Sequence, residues 1–283
     1  MIAHRSIFAR AVRALIPLTL LLVGCALQPT PYAPGAAPWD SPAQSPDWKK
    51  VRIGIEGAYP PFSEVGTDGK LKGFDIDMTL ALCAEMKAEC TLVQQEWDGM
   101  IPALQARKFD AIISSMAITP ERQKQVNFSD KYYNTPPAFI GKAGSVKDIT
   151  PASLKGKKIA VQRSTSHDRY ATAMYKESEI VRYAKQDDVF LDLVSGRVDA
   201  TLCDSVAGSL GFLKKPAGKG FAVIGTPPDD VAFFGTGSGI ATRKTDTALV
   251  EKFNAAIKAI RANGQYKKIQ DQYFDFDVYG KAQ

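Results

Sequence analysis

Apolar and polar residues alternate over residues 51–56 (VRIGIE), the period of a half-buried strand, and the segment runs into a turn-rich stretch at 57–61. Beyond Gly73-Phe74-Asp75 the period changes. Ile76, Leu80 and Cys83 fall at i, i+4 and i+7, which predicts a helix with those residues on its core face. Residues 90–95 read as a second strand. A short helix carrying Ile101 and Leu104 follows, capped by Asp98, and then a strand over 110–116 (DAIISSM). The theme recurs downstream. A strand at 157–162 (KKIAVQ) precedes a helix after Ser164-Thr165-Ser166, a helix near 187–195 and a strand at 199–202. Strands alternating with helices predict an α/β fold built on parallel sheets.

An internal echo sharpens this. Residues 104–115 (LQARKFDAIISS) align without gaps to 193–204 (LVSGRVDATLCD). Each copy is a helix end, a basic turn, Asp-Ala, and an apolar strand closing on polar residues. The register puts Ser115 and Asp204 at equivalent carboxyl ends of equivalent strands. Ligand crevices of open α/β sheets lie outside those ends, so two facing sheets would set Ser115 and Asp204 on opposite walls of one cleft.

The start of the chain says where it works. Arg5, Arg10 and Arg13 are followed by an apolar stretch at 14–23, interrupted only by Pro17 and Thr19, the pattern of a secretory signal. That stretch is shorter than the roughly 18–20 residues that span a bilayer. Leu22-Val23-Gly24-Cys25 resembles the lipobox of bacterial lipoproteins, which implies lipidation of Cys25 and removal of residues 1–24; ordinary cleavage that discards Cys25 is the alternative. Removing residues 1–24 takes away three arginines and no acids, so the formal charge falls from +6 to +3. No long basic run is present, and a nucleic-acid partner is not expected. Residues 25–48 are rich in Pro, Ala and Ser and read as a flexible tether. About 235 residues remain, enough for one large domain or two lobes. In an exported chain Cys83 and Cys90 are expected to pair as a disulfide. They lack the companion ligands that zinc needs, and no metal site is expected. Cys203 is left as a buried thiol at a strand end.

Two segments carry candidate chemistry. Thr119-Pro120-Glu121-Arg122 is a helix start, with Thr as N-cap and Pro at the first helical position. Arg122 then sits in the first turn, where a cation opposes the helix dipole unless a carboxylate joins it. Residues 164–168 (STSHD) lie between a strand and a helix, where free amides and the hydroxyls of Thr165 and Ser166 suit an anion. Ser166-His167-Asp168 is no catalytic triad, since adjacent residues cannot converge on one point. Gly235-Thr236-Gly237-Ser238-Gly239 is not placed as a dinucleotide turn, so no cofactor is expected.

Taken together, EGAYPPF (56–62), GFDIDM (73–78), WDGMIPAL (97–104), DAIISSMAITPER (110–122), DLVSGRVDA (192–200), GFLKKPAG (211–218) and FGTGSGIATRK (234–244) are specific. Over residues 51–280 the chain resembles the type II periplasmic amino-acid-binding proteins, the solute receptors of ABC importers, and among them the lysine/arginine/ornithine and arginine group. The resemblance implies two lobes, each a mostly parallel sheet flanked by helices, joined by a two-stranded hinge. Lobe 1 would comprise 49–134 and 237–283, lobe 2 139–228, with crossings at 135–138 and 229–236. It implies that a ligand carboxylate is held by Arg122, Ser115 and Ser166, and the α-ammonium by Asp204. Tyr59 and Trp97 would sandwich the ligand stem, Glu56 would meet a distal cation, and Ser114 and Thr165 would complete the walls. Some positions depart from the pattern: Ala117 stands where a serine is common, Glu56 is longer than the usual aspartate, His167 replaces glutamine, and Gln162 and Arg163 alter the neighbouring turn. Glutamate with a nearby histidine looks like the arginine-selective receptors, so arginine is favoured, then lysine or ornithine. Trp97 with DGMIPAL, and Thr165-Ser166-His167, also resemble opine receptors, but Asp204 argues for a primary amine. The implied partners are a membrane ABC permease and, through lipid, a membrane; a periplasmic monomer is expected. The rival readings are a cyclohexadienyl-dehydratase-like enzyme using Glu56 and His167, and a sensory domain.

Overall fold

The structure, a computed structural model, describes residues 47–280; Cys25 and the signal segment lie outside them. Trp48, placed in the tether by composition, is buried against the first core. Strand β1 (Lys50–Ile55) leads into a small antiparallel meander, β2 (Ala58–Tyr59), β3 (Ser63–Val65) and β4 (Leu71–Lys72). Helix α1 (Phe74–Glu85), β5 (Glu89–Gln94), α2 (Met100–Gln105), β6 (Ala111–Ile112), α3 (Pro120–Gln123) and β7 (Asn127–Tyr133) follow. The chain then builds a second sheet from β8 (Pro137–Lys142), β9 (Lys158–Gln162), α4 (Ser166–Met174), β10 (Glu179–Tyr183), α5 (Gln186–Val194), β11 (Ala200–Asp204), α6 (Ser205–Gly208) and β12 (Phe221–Gly225). After α7 (Val231–Phe234) it returns to the first sheet as β13 (Ser238–Thr242), followed by α8 (Thr247–Ala262) and α9 (Gln265–Gln270).

The two sheets share one topology, β5-β1-β6-β13-β7 and β10-β9-β11-β8-β12. The expectation of parallel sheets needs one correction in each. β13 runs antiparallel to β6 and β7, and β8 runs antiparallel to β11 and β12. These are the strands that arrive from the other sheet, and a chain entering from the opposite end must run against its neighbours.

The sequence echo is structural. Ala111 pairs with Ile53 of β1 and Ala200 with Ile159 of β9, each against the central strand of three parallel neighbours. Asp110 gives its N–H to the Arg52 carbonyl (2.8 Å) and takes the Arg52 N–H on Oδ2 (3.0 Å). Asp199 does the same with Lys158, at 2.9 and 2.8 Å. The Asp of each Asp-Ala pair therefore closes the edge of its strand by reciprocal hydrogen bonds.

Other local expectations shift. Leu80 is 54% exposed, because α1 turns Phe74, Met78 and Leu82 inward and leaves Leu80 on its outer face. Asp98 caps nothing: α2 begins at Met100 after a 3₁₀ turn at Trp97–Gly99, and the Asp98 carboxylate takes Arg163 instead. The strand read at 110–116 is only two residues long, since the chain bends away at Ser114 and Ser115 takes a left-handed φ of 54°. A Cys83–Cys90 disulfide ties α1 to β5, and Cys203 is a buried free thiol. The first core gathers Ile53, Phe74, Leu82, Tyr133 and Phe253, and it also takes in Val206 and Ala207 of α6; the second gathers Phe139, Ile159, Val161 and Leu202.

Candidate ligand-binding cleft

A cavity of about 610 Å³, its open mouth included, lies outside the carboxyl ends of both sheets. Every residue assigned to the site from the sequence lines it: Glu56, Tyr59, Trp97, Ser114, Ser115, Ala117 and Arg122 from the first half, and Thr165, Ser166, His167 and Asp204 from the second. Sequence reasoning missed Asn134 and Thr135 at the crossing, Gln162, Phe234 and Ser238. Gln162 ends β9, so the carboxyl-end rule that found Asp204 could have found it.

Arg122 is delivered by the predicted helix start. Its N–H donates to the Thr119 hydroxyl (3.3 Å), with Pro120 at the first helical position. The guanidinium is buried, 5.1 Å from the Trp97 ring centroid, and donates to the carbonyls of Ala117 (3.1 Å) and Ser164 (3.4 Å). Arg122 is therefore not a surface arginine paired to an acid. The adjacent Glu121 is taken by Arg169 (2.5 Å), and no carboxylate of a described residue lies within ion-pair distance of Arg122. Burial lowers the guanidinium pKa to about 10, with Arg169 adding to the effect and Glu121 opposing it. A buried cation with no counter-charge is a place for an anion.

The second half meets it with the start of α4. Thr165 has no hydroxyl to spare: Oγ1 accepts the Asp168 N–H (3.1 Å) and donates to the Gln162 carbonyl (2.7 Å). The Ser166 hydroxyl makes no hydrogen bond to another described residue, and the first amides of α4 lie beyond reach of intrahelical partners. His167 packs on Phe234, ring centroids 5.7 Å apart. Burial lowers its pKa to about 3 and the charge of Arg122 adds to this, so the imidazole is neutral. Its charged neighbour is Arg122, and the Glu56 carboxylate takes Gln162 in place of His167, although both residues line the cavity.

Opposite charge lies in the same cavity. Asp204 ends β11 and caps α6: Oδ1 accepts the N–H groups of Val206 (2.8 Å) and Ala207 (3.1 Å), and Thr135 donates its hydroxyl to Oδ2. Burial raises its pKa, and those three donors oppose the rise. A carboxylate has about four acceptor positions, which leaves room for one further donor. Ser115 is held from behind. Its N–H donates to the Tyr132 hydroxyl (3.1 Å) and its Oγ to Asp75 Oδ2 (2.9 Å). Its hydroxyl hydrogen is thus committed to Asp75. At the far end Glu56 gives its N–H to Ser114 Oγ (3.1 Å) and takes Gln162 Nε2 on Oε1 (2.5 Å). Burial raises its pKa to about 7; Gln162 and Lys185 oppose the rise, and Asp187 and Asp98 add to it. Tyr59 stacks on Phe62 (6.0 Å), Trp97 donates its indole N–H to the Ser164 carbonyl (3.3 Å), and Ala117 contributes a methyl where a hydroxyl is common. Among the described residues, no group of three or more His, Cys, Asp or Glu is placed to hold a metal.

A cleft between twinned α/β sheets, lined by opposed buried charges, defines a solute receptor. Residues 51–276 match the bacterial extracellular solute-binding proteins, family 3, and the chain belongs to that family. It is 56% identical over 234 residues to the L-arginine-binding protein of Pseudomonas aeruginosa (82% of this chain, 90% of that protein). It is 44% identical over 232 residues to the lysine/arginine/ornithine-binding periplasmic protein of Escherichia coli (81% and 89%). Among solved structures it resembles a Salmonella typhimurium periplasmic binding protein described as having high arginine specificity, with TM-score 0.74 and 34% identity over 80% of this chain and 99% of that one. These relatives are binding proteins that work outside the cytoplasm.

Proposed function

We propose that this chain is the receptor of an ABC importer for a basic L-amino acid, arginine before lysine or ornithine. One observation carries the reading: a buried guanidinium without a carboxylate partner and a buried carboxylate with an acceptor position to spare line the same cleft. A free amino acid neutralises both at once. At 4 Å and an effective dielectric near 20, each opposite-charge contact is worth about 4 kcal/mol before desolvation. The ligand carboxylate takes Arg122, the Ser166 hydroxyl and the α4 amides; the α-ammonium takes Asp204. The stem lies between Tyr59 and Trp97, and the side-chain cation reaches Glu56, which burial leaves costly to ionise until a cation arrives. The high identity to an L-arginine-binding protein supports the order of preference.

The halves act as lobes that close about the crossings at 135–138 and 229–236, and contacts from both walls favour the closed state. The chain works as a monomer, anchored by lipid on Cys25, and hands ligand to a membrane permease. A binding role is supported over an enzymatic one by the family match and by relatives that are binding proteins. Calorimetry on protein refolded free of carried-over ligand tests the reading. Arginine should bind most tightly among arginine, lysine, ornithine, histidine, glutamine and octopine, with compaction visible by X-ray scattering. Octopine binding above arginine would transfer the assignment to opines, and no binding of any amino acid overturns it.

A further inference from the structure

We infer that Asp75, which does not line the cleft, is a positioning residue that fixes which end of the ligand lies against Ser115; this rests on the reading that the cleft takes a free α-amino acid. Asp75 is the second residue of α1 and is fully buried. Gly73 makes the placement possible: at φ 123° a Cβ there would stand 2.4 Å from the Phe62 carbonyl oxygen, which accepts the Asp75 N–H (2.8 Å). An acid serving only the helix dipole would bond first-turn amides. The Asp75 carboxylate is instead met by hydroxyls from other elements, Tyr132 of β7 on Oδ1 (2.8 Å) and Ser115 on Oδ2 (2.9 Å). No cation of a described residue pairs with it.

Burial raises the Asp75 pKa to about 7; above it the carboxylate is ionised and only accepts, so both hydroxyl hydrogens point at Asp75. Tyr132 in turn spends a lone pair on the Ser115 N–H, which closes a ring of three residues around the left-handed turn at Ser115. What Ser115 Oγ offers the cleft is then lone pairs alone. An ammonium carries donors alone, and Asp204 takes one of them from the opposite half; a ligand carboxylate would meet Ser115 acceptor to acceptor. The buried charge of Asp75 therefore orients the α-ammonium by orienting a hydroxyl. Asparagine at this position can turn its amide NH₂ toward Ser115 Oγ and release that hydrogen into the cleft, which reverses the polarity of the wall. Asp204 lies close enough for its charge to raise the Asp75 pKa, after the larger effect of burial, and a bound cation between the two relieves both.

The test is a mutant cycle on the full chain: Asp75→Asn, Ser115→Ala and the double variant, each titrated with arginine and with 5-guanidinopentanoate, which is arginine without its α-amine. Each single change should weaken arginine about ten-fold or more, the scale of a hydrogen bond to a charged group. The analogue should change by less than about three-fold, and the double variant should be no worse than Ser115→Ala alone, because Asp75 acts through Ser115. Equal losses for both ligands, or additive losses in the double variant, overturn the inference. If Asp75→Asn gives no cooperative melt, Ser115→Ala with the two ligands decides it: the same split supports the inference and an equal loss overturns it. A wild-type chain that binds no α-amino acid overturns the receptor reading and this inference with it. A wild-type chain that binds arginine while its variants show no split overturns the Asp75 assignment only.

Discussion

The two Asp-Ala turns do the same backbone work in different surroundings. Asp110 is buried and takes two guanidinium groups on one oxygen, Arg52 at 2.9 Å and Arg243 at 3.1 Å, while Arg243, itself buried, also donates to the carbonyls of Leu104 and Phe109. Asp199 is exposed and has only Lys157 at 3.5 Å. Beyond the shared turn the copies part. In the first, the strand stops at Ile112 and the chain bends at Ser115; in the second, β11 runs on to Asp204, which caps α6. The repeated segment is scaffold, locked by a buried ion network in one half and by main-chain bonds in the other. The residues proposed to meet ligand, Ser115 and Asp204 among them, sit where the copies diverge.

The comparison breaks first at the diverged ends. Arg122→Ala removes a buried cation that no carboxylate neutralises, and arginine affinity should fall by about a thousand-fold or more, the scale of losing one partner of a buried charge pair. Thermal stability of the ligand-free protein should hold or rise, because the unpaired charge is itself a cost to the fold. Arg122→Lys should not restore binding, since an ammonium lacks the planar fork that grips a carboxylate. Calorimetry and a thermal melt on the same samples check all three. A variant that binds normally would place the ligand carboxylate elsewhere.

The scaffold copies come next. Asp110→Asn keeps an acceptor for the Arg52 N–H but removes the charge that Arg52 and Arg243 share, leaving the buried Arg243 with Asp246 (2.7 Å) as its remaining carboxylate, and should cost about 2 kcal/mol in denaturant unfolding, the scale of a hydrogen bond to a charged group. Asp199→Asn removes a solvent-screened partner and should cost less than about 1 kcal/mol. Neither residue lines the cleft, so arginine affinity should stay unchanged in both. Equal destabilisation by the two changes would mean that the ion network contributes nothing beyond the shared backbone bonds.

How far the sequence was legible follows the same division. The α/β class, the echo, Ser115, Asp204, Arg122 and the start of α4 could be read because they are local: a strand has its period, a helix start has its cap, and the carboxyl end of a strand is a fixed place; Glu56, Tyr59, Trp97 and Ala117 came only with the family resemblance. The direction of β8 and β13 could not, since it depends on which sheet the chain has just left. Leu80 and Asp98 were misplaced for a related reason. Periodicity finds an apolar stripe without saying which face a neighbour covers, and Asp98 has a partner 65 residues away in Arg163. Asp75 was legible only as a helix-start acid; its partners come from β7 and the turn after β6, contacts that no spacing rule encodes.

Acid should separate the distal end of the cleft from the α-carboxylate end. Glu56 has a folded pKa of about 7, raised from an ordinary 4.5 first by burial. In the ligand-free protein the folded state holds this proton while the unfolded chain releases it, so stability contributed by Glu56 falls as pH rises from about 4.5 to 7. Binding runs the other way, because a cation needs the ionised form: titration of Glu56 alone should lower arginine affinity about ten-fold between pH 8 and 6, and any further drop belongs to Asp75. Asp75 is raised to about 7 as well, so Glu56→Gln should flatten the profile without abolishing it. The same variant should weaken arginine and lysine far more than glutamine. Superimposable pH profiles for wild type and variant would remove Glu56 as the distal partner.

The smallest effect lies at the rim, where the halves touch through charge. Arg163, in the turn before α4, donates to Asp98 of the 3₁₀ turn at 2.5 Å, and both side chains are partly open to solvent. On the proposed closure, the pair would form only in the closed state. A weaker closed state would then appear as a higher Kd even though neither side chain lines the cavity. Exposed pairs are worth about 0.2–1 kcal/mol, so Asp98→Ala should weaken arginine by less than about five-fold. That deficit should shrink as salt approaches 1 M, where the screening length falls to about 3 Å, while the Arg122→Ala deficit, set in a buried site, should persist. A rim deficit that ignores salt would show Asp98 acting through the shape of the Trp97–Gly99 turn and the placement of Trp97, which would make it part of the first wall and leave closure to the buried contacts alone.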